Sequence, residues 1–271
     1  MTNFICVTCG TQFATGEMPP GRCPICEDER QYVGWNGQEW TTMEALQMNH
    51  HNVIKRIDDN LVGIGTHPSF AIGQRALLVQ SPQGNVLWDC VSLLDEATVA
   101  ALRSLGGVSA IAISHPHFYT SMVSWSRAFD APVYIHADDR QWVMQPDPAI
   151  VHLEGETWEI GEGLTLIRCG GHFPGSAVLH WAAGTNGKGA LLSGDTLQVV
   201  PDQDYLSFMY SYPNLIPLPA KLVRQIVQSV EPFSFDRIYG GWWDRVVSKD
   251  AKAAVRRSAE RYIAAVEGDN R

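Results

Sequence analysis

No basic stripe runs through this chain of 271 residues: twenty Lys and Arg stand against twenty-nine Asp and Glu, and the longest basic cluster is Arg256-Arg257. A protein that neutralises several phosphates needs such a stripe, so a net charge of −9 excludes nucleic acid as the expected partner. Long apolar runs are missing too. No stretch approaches the ~18 consecutive apolar residues that span a bilayer, and residues 1–6 hold no basic segment leading into an apolar run. Neither a membrane partner nor a signal peptide is therefore expected. Cysteine is scarce and unevenly placed: of six, four form two CxxC pairs, and Cys90 and Cys169 lie far downstream in apparent strands. That usage suits a reducing cytosol better than a disulfide framework, which makes the expected location cytoplasmic.

What is present divides the chain into three stretches. Residues 1–35 have little periodicity, two CxxC pairs and the turn formers Gly10, Pro19, Pro20 and Gly21, the signature of a small four-cysteine knuckle. Residues 36–60 read as a connector with a short helix over 42–48. Residues 61–271 read as one domain of short apolar strands alternating with helices. Strands are predicted at 76–80, 86–90, 110–114, 133–136, 164–169, 178–182, 190–193 and 237–239. The first two are joined across the turn-rich run 81–85. Helices are predicted at 95–105, 119–129, 219–230 and 249–266, the last capped by Ser248 and burying Ala254, Val255, Tyr262, Ile263 and Val266. Strands interleaved with helices in both halves of this domain predict an α/β fold with a sheet-on-sheet core and helices outside.

Cys6-Val-Thr-Cys9-Gly10 and Cys23-Pro-Ile-Cys26 are separated by thirteen residues. Two such turns bring four thiolates around one tetrahedral metal. The pattern resembles a rubredoxin-like or zinc-ribbon knuckle. A closed four-thiolate site is a structural device, which makes zinc the expected ion; iron would make it an electron-transfer module. Packing against a second subunit, as in a homodimer, or over the rim of an active site is the role this reading assigns it.

The second constellation is Ser114-His115-Pro116-His117-Phe118-Tyr119-Thr120, directly after an apolar run. An HxH pair leaving a strand can aim both imidazoles one way, because residues two apart share a face. Gly170-Gly171-His172-Phe173-Pro174-Gly175-Ser176 follows another strand, and Leu191-Leu192-Ser193-Gly194-Asp195 a third. Their order and context resemble the metallo-β-lactamase superfamily across residues 60–245, with a glyoxalase-like GGHFPGS and an early strand ending in Asp89. The resemblance implies a four-layer αββα sandwich in which His115, His117 and His172 form the first metal site, Asp195 adds a carboxylate, and Asp89 orients a ligand. The chain departs from the superfamily pattern HxHxDH: Tyr119 and Thr120 stand at the Asp and second His positions, and Trp242 where a late His would fall. One catalytic metal, zinc, is therefore expected. The remaining histidines, His50, His51, His136, His152 and His180, read as structural, and His67 as a loop residue.

Three neutral imidazoles leave zinc with an open position and a bound water acidified to about 7. The hydroxide attacks an electrophilic carbon, Asp195 binds the metal or takes the proton, and Tyr119 is placed to donate to the developing anion. Tyr205, Phe208, Tyr210 and Trp242 are the candidate substrate-binding residues, in segments that line the pocket in similar enzymes. The arrangement is similar to bacterial isothiocyanate hydrolases, which implies a small-molecule isothiocyanate converted to an amine and carbonyl sulfide. A lactone, ester or thioester is the alternative within hydrolases. Persulfide dioxygenases of the same fold hold one iron by two His and one Asp, which His115, His172 and Asp195 supply. A metal-binding protein without catalysis is the remaining reading.

Overall fold

The computed structural model describes residues 1–269, so the last two positions of the predicted 61–271 domain lie outside the described residues. The chain divides into two compact units, Met1–Ile135 with Arg140–His152, and His136–Asp139 with the chain from Leu153 onward.

In the first unit β1 (Phe4–Cys6) pairs antiparallel with β2 (Trp40–Thr42). A seven-stranded sheet follows in chain order: β3 (His51–Asp58), β4 (Leu61–His67), β5 (Arg75–Val79), β6 (Val86–Trp88), β7 (Ala110–Ala112), β8 (Val133–His136) and β9 (Ile150–Leu153). The strands from β3 to β6 pair antiparallel, whereas β6, β7 and β8 run parallel. Parallel neighbours require crossovers, which the helices Glu96–Ser104 and Met122–Phe129 provide. Asp95 caps the first of these by accepting from Thr98 N–H at 2.7 Å, a position that favours Asp.

The 36–60 stretch is more than a connector. It supplies β2, the helix Met43–Asn49 and all of β3. Both β3 and β4 escape the sequence reading for physical reasons. Lys55, Arg56 and Asp58 on β3 carry the charge of an edge strand, and Gly63 and Gly65 dilute the β-propensity of β4. The predicted 119–129 helix starts only at Met122, because Thr120 takes a φ of +39° and breaks the turn.

The second unit holds a six-stranded sheet. It runs β10 (Thr157–Gly161), β11 (Leu164–Arg168), β12 (Ala177–Trp181), β13 (Ala190–Gly194), then Arg237–Gly240 and Val246–Val247. Only the β13 pairing with Arg237–Gly240 is parallel. The helices Ala220–Val230 and Ala251–Glu267 pack Val223, Ile226, Val230, Ala254 and Val255 into one core with Leu191, Phe208 and Ile238. Full burial of each Val, Leu or Ile contributes roughly 1.5–3 kcal/mol. Two expectations for the last helix are corrected. Asp250, in a left-handed conformation, occupies the cap position in place of Ser248. Val266 is exposed, because it lies on the solvent side of the final turn.

Candidate metal centre

All four knuckle cysteines are buried, at 0–1% exposure. Cys6 Sγ lies 3.5 Å from Cys26 Sγ, and Cys9 Sγ 3.7 Å from Cys23 Sγ. None of the six cysteines of the chain is in a disulfide. The Cys6 thiol is held well below its ordinary range because Cys23, Cys26 and Cys9 donate to its sulfur. The Cys9 thiol is pushed up by the same sharing of protons, led by Cys23. Four sulfurs competing for protons at this separation make a donor set suited to a single soft cation. The knuckle is not a free appendage: Phe13, Ile25 and the cysteines pack with Trp40, Trp142 and Met144, and the Arg30 guanidinium lies 5.5 Å over the Trp142 ring.

His115 and His117 lie beyond β7, His115 as the extended cap of a single helical turn, Pro116–Phe118, and His117 within it. The turn, not the strand pleat, sets the two rings, whose centroids are 5.2 Å apart. Asp89 ends the β6 segment with a φ of +61° and receives two hydrogen bonds from Ser114, from N–H and Oγ, both at 2.8 Å on Oδ1. With its proton committed to Asp89, Ser114 Oγ accepts from His115 Nδ1 at 2.9 Å. That tautomer leaves Nε2 of His115 as a metal-binding lone pair. Asp89 thus orients a ligand as expected, but through Ser114, a residue of the motif that had no role assigned to it in the sequence reading.

His172 and Asp195 sit in the second unit. Gly170 and Gly171, at φ +67° and +85°, turn the chain out of β11, and a Cβ on Gly171 would come within 2.7 Å of Ile226 Cδ1. Ser176 closes the loop, its Oγ accepting from Phe173 N–H at 2.8 Å. Buried Asp139 accepts from Gly175 N–H at 3.1 Å. His172 Nδ1 donates to the Met209 carbonyl at 3.1 Å, which leaves its Nε2 as the acceptor, 3.9 Å from Asp195 Oδ2. Asp195 follows β13, and Tyr212 Oη donates to its backbone carbonyl at 2.7 Å.

One ligand atom from each of His115, His117, His172 and Asp195 lies within 4.8 Å of the others, and all four residues are buried. Three imidazoles, two of them fixed in a lone-pair-presenting tautomer, and one carboxylate form a set that fits a divalent metal.

The chain is 49% identical, over an alignment of 271 positions that covers 99% of this chain and 98% of the other, to the uncharacterized protein YmaE of Bacillus subtilis (strain 168). The chain belongs to the YmaE family. No family model matches it. Among solved structures, VMB-1 is similar at a TM-score of 0.59 and 12% identity, covering 80% of this chain and 98% of that one. The Rm3 metallo-β-lactamase gives 0.53 and 18%, with 83% and 97% covered. The metallo-β-lactamase SMB-1 bound to 2-mercaptoethanesulfonate gives 0.51 and 16%, with 78% and 95% covered. The fold of this YmaE-family chain is therefore the metallo-β-lactamase fold, preceded by the four-cysteine knuckle.

The remaining candidates are scattered. Trp242, partly exposed, sits in the turn after Arg237–Gly240, where Gly241 N–H donates to the Gly194 carbonyl beside Asp195 at 3.0 Å. Tyr119 is buried and lines a cavity of about 10 Å³ with Thr11, Gln12, Thr120 and Met144. Phe208 is fully buried in the helix-covered core, and Tyr210 packs against that core from a half-buried position. The Tyr205 ring is covered by the Arg261 guanidinium at 3.4 Å. Ser114 and the Met209 carbonyl escaped the sequence reading, and Tyr212, one of the aromatics after Asp195, holds a backbone carbonyl instead of lining a pocket. Only Ser114, adjacent to the HxH pair, carried a signal that could have found it.

Proposed function

We propose that the protein is a metal-dependent hydrolase whose metal, zinc, is held by His115, His117, His172 and Asp195. The convergence of these four ligand atoms within 4.8 Å, all buried, is the observation that carries the reading. A metal held by these residues would acidify a bound water to about 7 and so supply a nucleophile at neutral pH. The protein does the rest. Ser114 holds His115 by Nδ1, and the Met209 carbonyl holds His172 by Nδ1, so both rings keep the tautomer that binding needs. Tyr212 anchors the backbone of Asp195, whose carboxylate would bind the metal or take a proton. Tyr119, next to the ligands in sequence, is assigned to donate to the anion that develops on the substrate. Burial of the ligands keeps bulk water from competing with the reacting group.

The substrate we favour is a small molecule, an isothiocyanate. Addition of water to R–N=C=S gives a thiocarbamate, which breaks to an amine and carbonyl sulfide, conserving all atoms. Support comes from the absence of ligands for a second metal at Tyr119, Thr120 and Trp242, and from Trp242 as a partly exposed apolar surface beside the Asp195 loop. A lactone, ester or thioester fits the same machinery. The second site we assign to zinc in the knuckle, Cys6, Cys9, Cys23 and Cys26, with iron as the ion that would change its role. A cytoplasmic location and a homodimer complete the proposal; no helix of the described residues is long and apolar enough to cross a membrane.

The test is a metal-stripped enzyme reloaded separately with zinc and with iron. It is offered an aryl-alkyl isothiocyanate, a lactone and a thioester, with amine, carbonyl sulfide and oxygen uptake all measured. Zinc-restored release of amine and carbonyl sulfide is the expected result. Zinc-restored cleavage of the lactone or thioester alone moves the substrate and keeps the mechanism. Oxygen uptake with iron, and no hydrolysis with zinc, makes the protein an oxygenase.

A further inference from the structure

The knuckle and the HxH segment belong to the same compact unit, and specific hydrogen bonds join them. The chelating turn is closed by Gly10 N–H donating to Cys6 O at 2.8 Å and Cys6 N–H donating to Thr11 O at 3.0 Å. Gln12 then leaves the turn and donates its backbone N–H to the carbonyl of Thr120 at 2.9 Å. Its side-chain Oε1 accepts from Ser124 Oγ at 2.7 Å. Thr120 and Ser124 bracket the start of the helix that follows His117.

Thr120 needs such a tie. Its φ of +39° is costly for a β-branched residue and persists only where the surroundings impose it. Residues 91 and 92 brace both sides of the same junction. Ser92 Oγ donates to Gly10 O at 2.9 Å, while Ser121 Oγ donates to Ser92 O at 2.8 Å and Val91 O at 3.1 Å. There is no slack at Gly10: a Cβ there would lie 2.2 Å from Ser92 Oγ. The cavity shared by Thr11, Gln12, Tyr119 and Thr120, about 10 Å³, holds no more than about one water. Movement of the chelating turn must therefore reach the loop that carries His115 and His117.

We propose that the knuckle is a positioning element for the histidine site. Its metal fixes the chelating turn, the turn holds Thr120 and Ser124 through Gln12, and these set the two histidines for their own metal. The inference rests on the reading of His115, His117, His172 and Asp195 as metal ligands. Linkage makes the coupling reciprocal: metal in either site raises the affinity of the other by the same factor.

The full-length protein, stripped of metal and titrated with cobalt(II), separates the two sites. Only the knuckle gives thiolate-to-cobalt charge transfer, and competition with zinc then yields each affinity. Wild type should take up two equivalents, and His117→Ala should lose one with the thiolate bands intact. A wild type that binds one equivalent, in the knuckle alone, overturns the metal reading of the histidines itself. Given two equivalents, Cys9→Ser should weaken the histidine site ten- to a hundredfold, the range for support residues around a metal. Ser124→Ala, with the knuckle loaded, should weaken it about fivefold, the effect of one ordinary hydrogen bond. Ser124→Thr keeps the hydroxyl and should restore the affinity. A histidine site of wild-type affinity in either Cys9→Ser or Ser124→Ala overturns the proposal, as does a loss in Ser124→Ala that Ser124→Thr does not repair. If Cys9→Ser does not fold, the Ser124 pair decides alone.

Discussion

The two metal-capable groups of this chain are built in opposite ways. The knuckle draws its four sulfurs from positions 6 to 26, whereas the histidine group draws its four donors from positions 115 to 195. In the knuckle the donors hold one another. Sulfur faces sulfur at 3.5 and 3.7 Å, and the arrangement has little other than the cysteines, Phe13 and Ile25 at its centre. In the histidine group other residues hold the donors: Ser114 and Asp89 fix His115, and the Met209 carbonyl fixes His172. A donor set held by its own ligands needs the ion in order to fold. One held by a surrounding scaffold is preorganised and uses the ion for chemistry. A metal ion is thus expected to stabilise the fold in one place and to react in the other.

The strongest way to break this contrast is His117→Ala. It should abolish turnover and remove one equivalent of metal, an effect beyond the 10- to 100-fold typical of support residues. The far-ultraviolet spectrum and the knuckle metal should stay unchanged. Global unfolding of this variant would show that the histidine group is a folding site after all. Cys6→Ser tests the other half. It should lower stability by several kcal/mol, a fall in melting midpoint on the order of 10 °C, or dissociate any dimer. An unchanged midpoint and assembly, with altered redox behaviour, would instead make the knuckle an electron-transfer site.

Tyr119→Phe is the sharper probe, since Tyr119 lies between the two groups in chain contact, lining a cavity with Thr11 and Gln12. Metal content should be retained while turnover falls roughly 10²-fold or more, the effect of losing one well-placed donor in the transition state. A near-normal rate assigns Tyr119 to packing between the knuckle and the loop.

The contrast also explains what could be read in advance. The knuckle was legible because its geometry is local: two CxxC spacings decide which sulfurs meet. His115, His117, His172 and Asp195 were legible from their order against a known superfamily, but the reasons they point where they do were not. The HxH pair caps and enters a one-turn helix after β7, a turn that the apolar run 110–114 does not announce. Edge strand β3 was hidden by its charges and β4 by its glycines. Phe208 sat in a segment expected to line a pocket, and the helix Ala251–Glu267 buried it. The partners of the ligands, Met209 O and Ser114 Oγ, come from tertiary contacts that no spacing rule encodes. The ties of Gln12 to Thr120 and Ser124 likewise join positions more than a hundred residues apart.

The last and smallest effect concerns Asp89, which supports the preorganised half from below. Its carboxyl is wholly buried and pushed up to about 7, with burial outweighing the two hydrogen bonds from Ser114; its ordinary value is 3.8. Oδ2 has no hydrogen-bond partner among the described residues, which is why the charged form is disfavoured. Between 3.8 and about 7 the folded, metal-free protein keeps a proton that the unfolded chain has released. Its stability must then fall as pH rises through that window. From pH 5 to pH 7 the loss should be about 2 kcal/mol, since each unit carries about 1.4 and the group is half ionised at the upper end. Asp89→Asn still offers an oxygen to Ser114 and cannot ionise. It buries an amide where Oδ2 had no partner, a cost that does not change with pH. Urea unfolding of the metal-free proteins at the two pH values should therefore show the wild type losing about 2 kcal/mol more than the variant over this range. Equal slopes would mean that Asp89 is ionised in the folded protein across this range, and that Ser114 orients His115 against a full carboxylate charge.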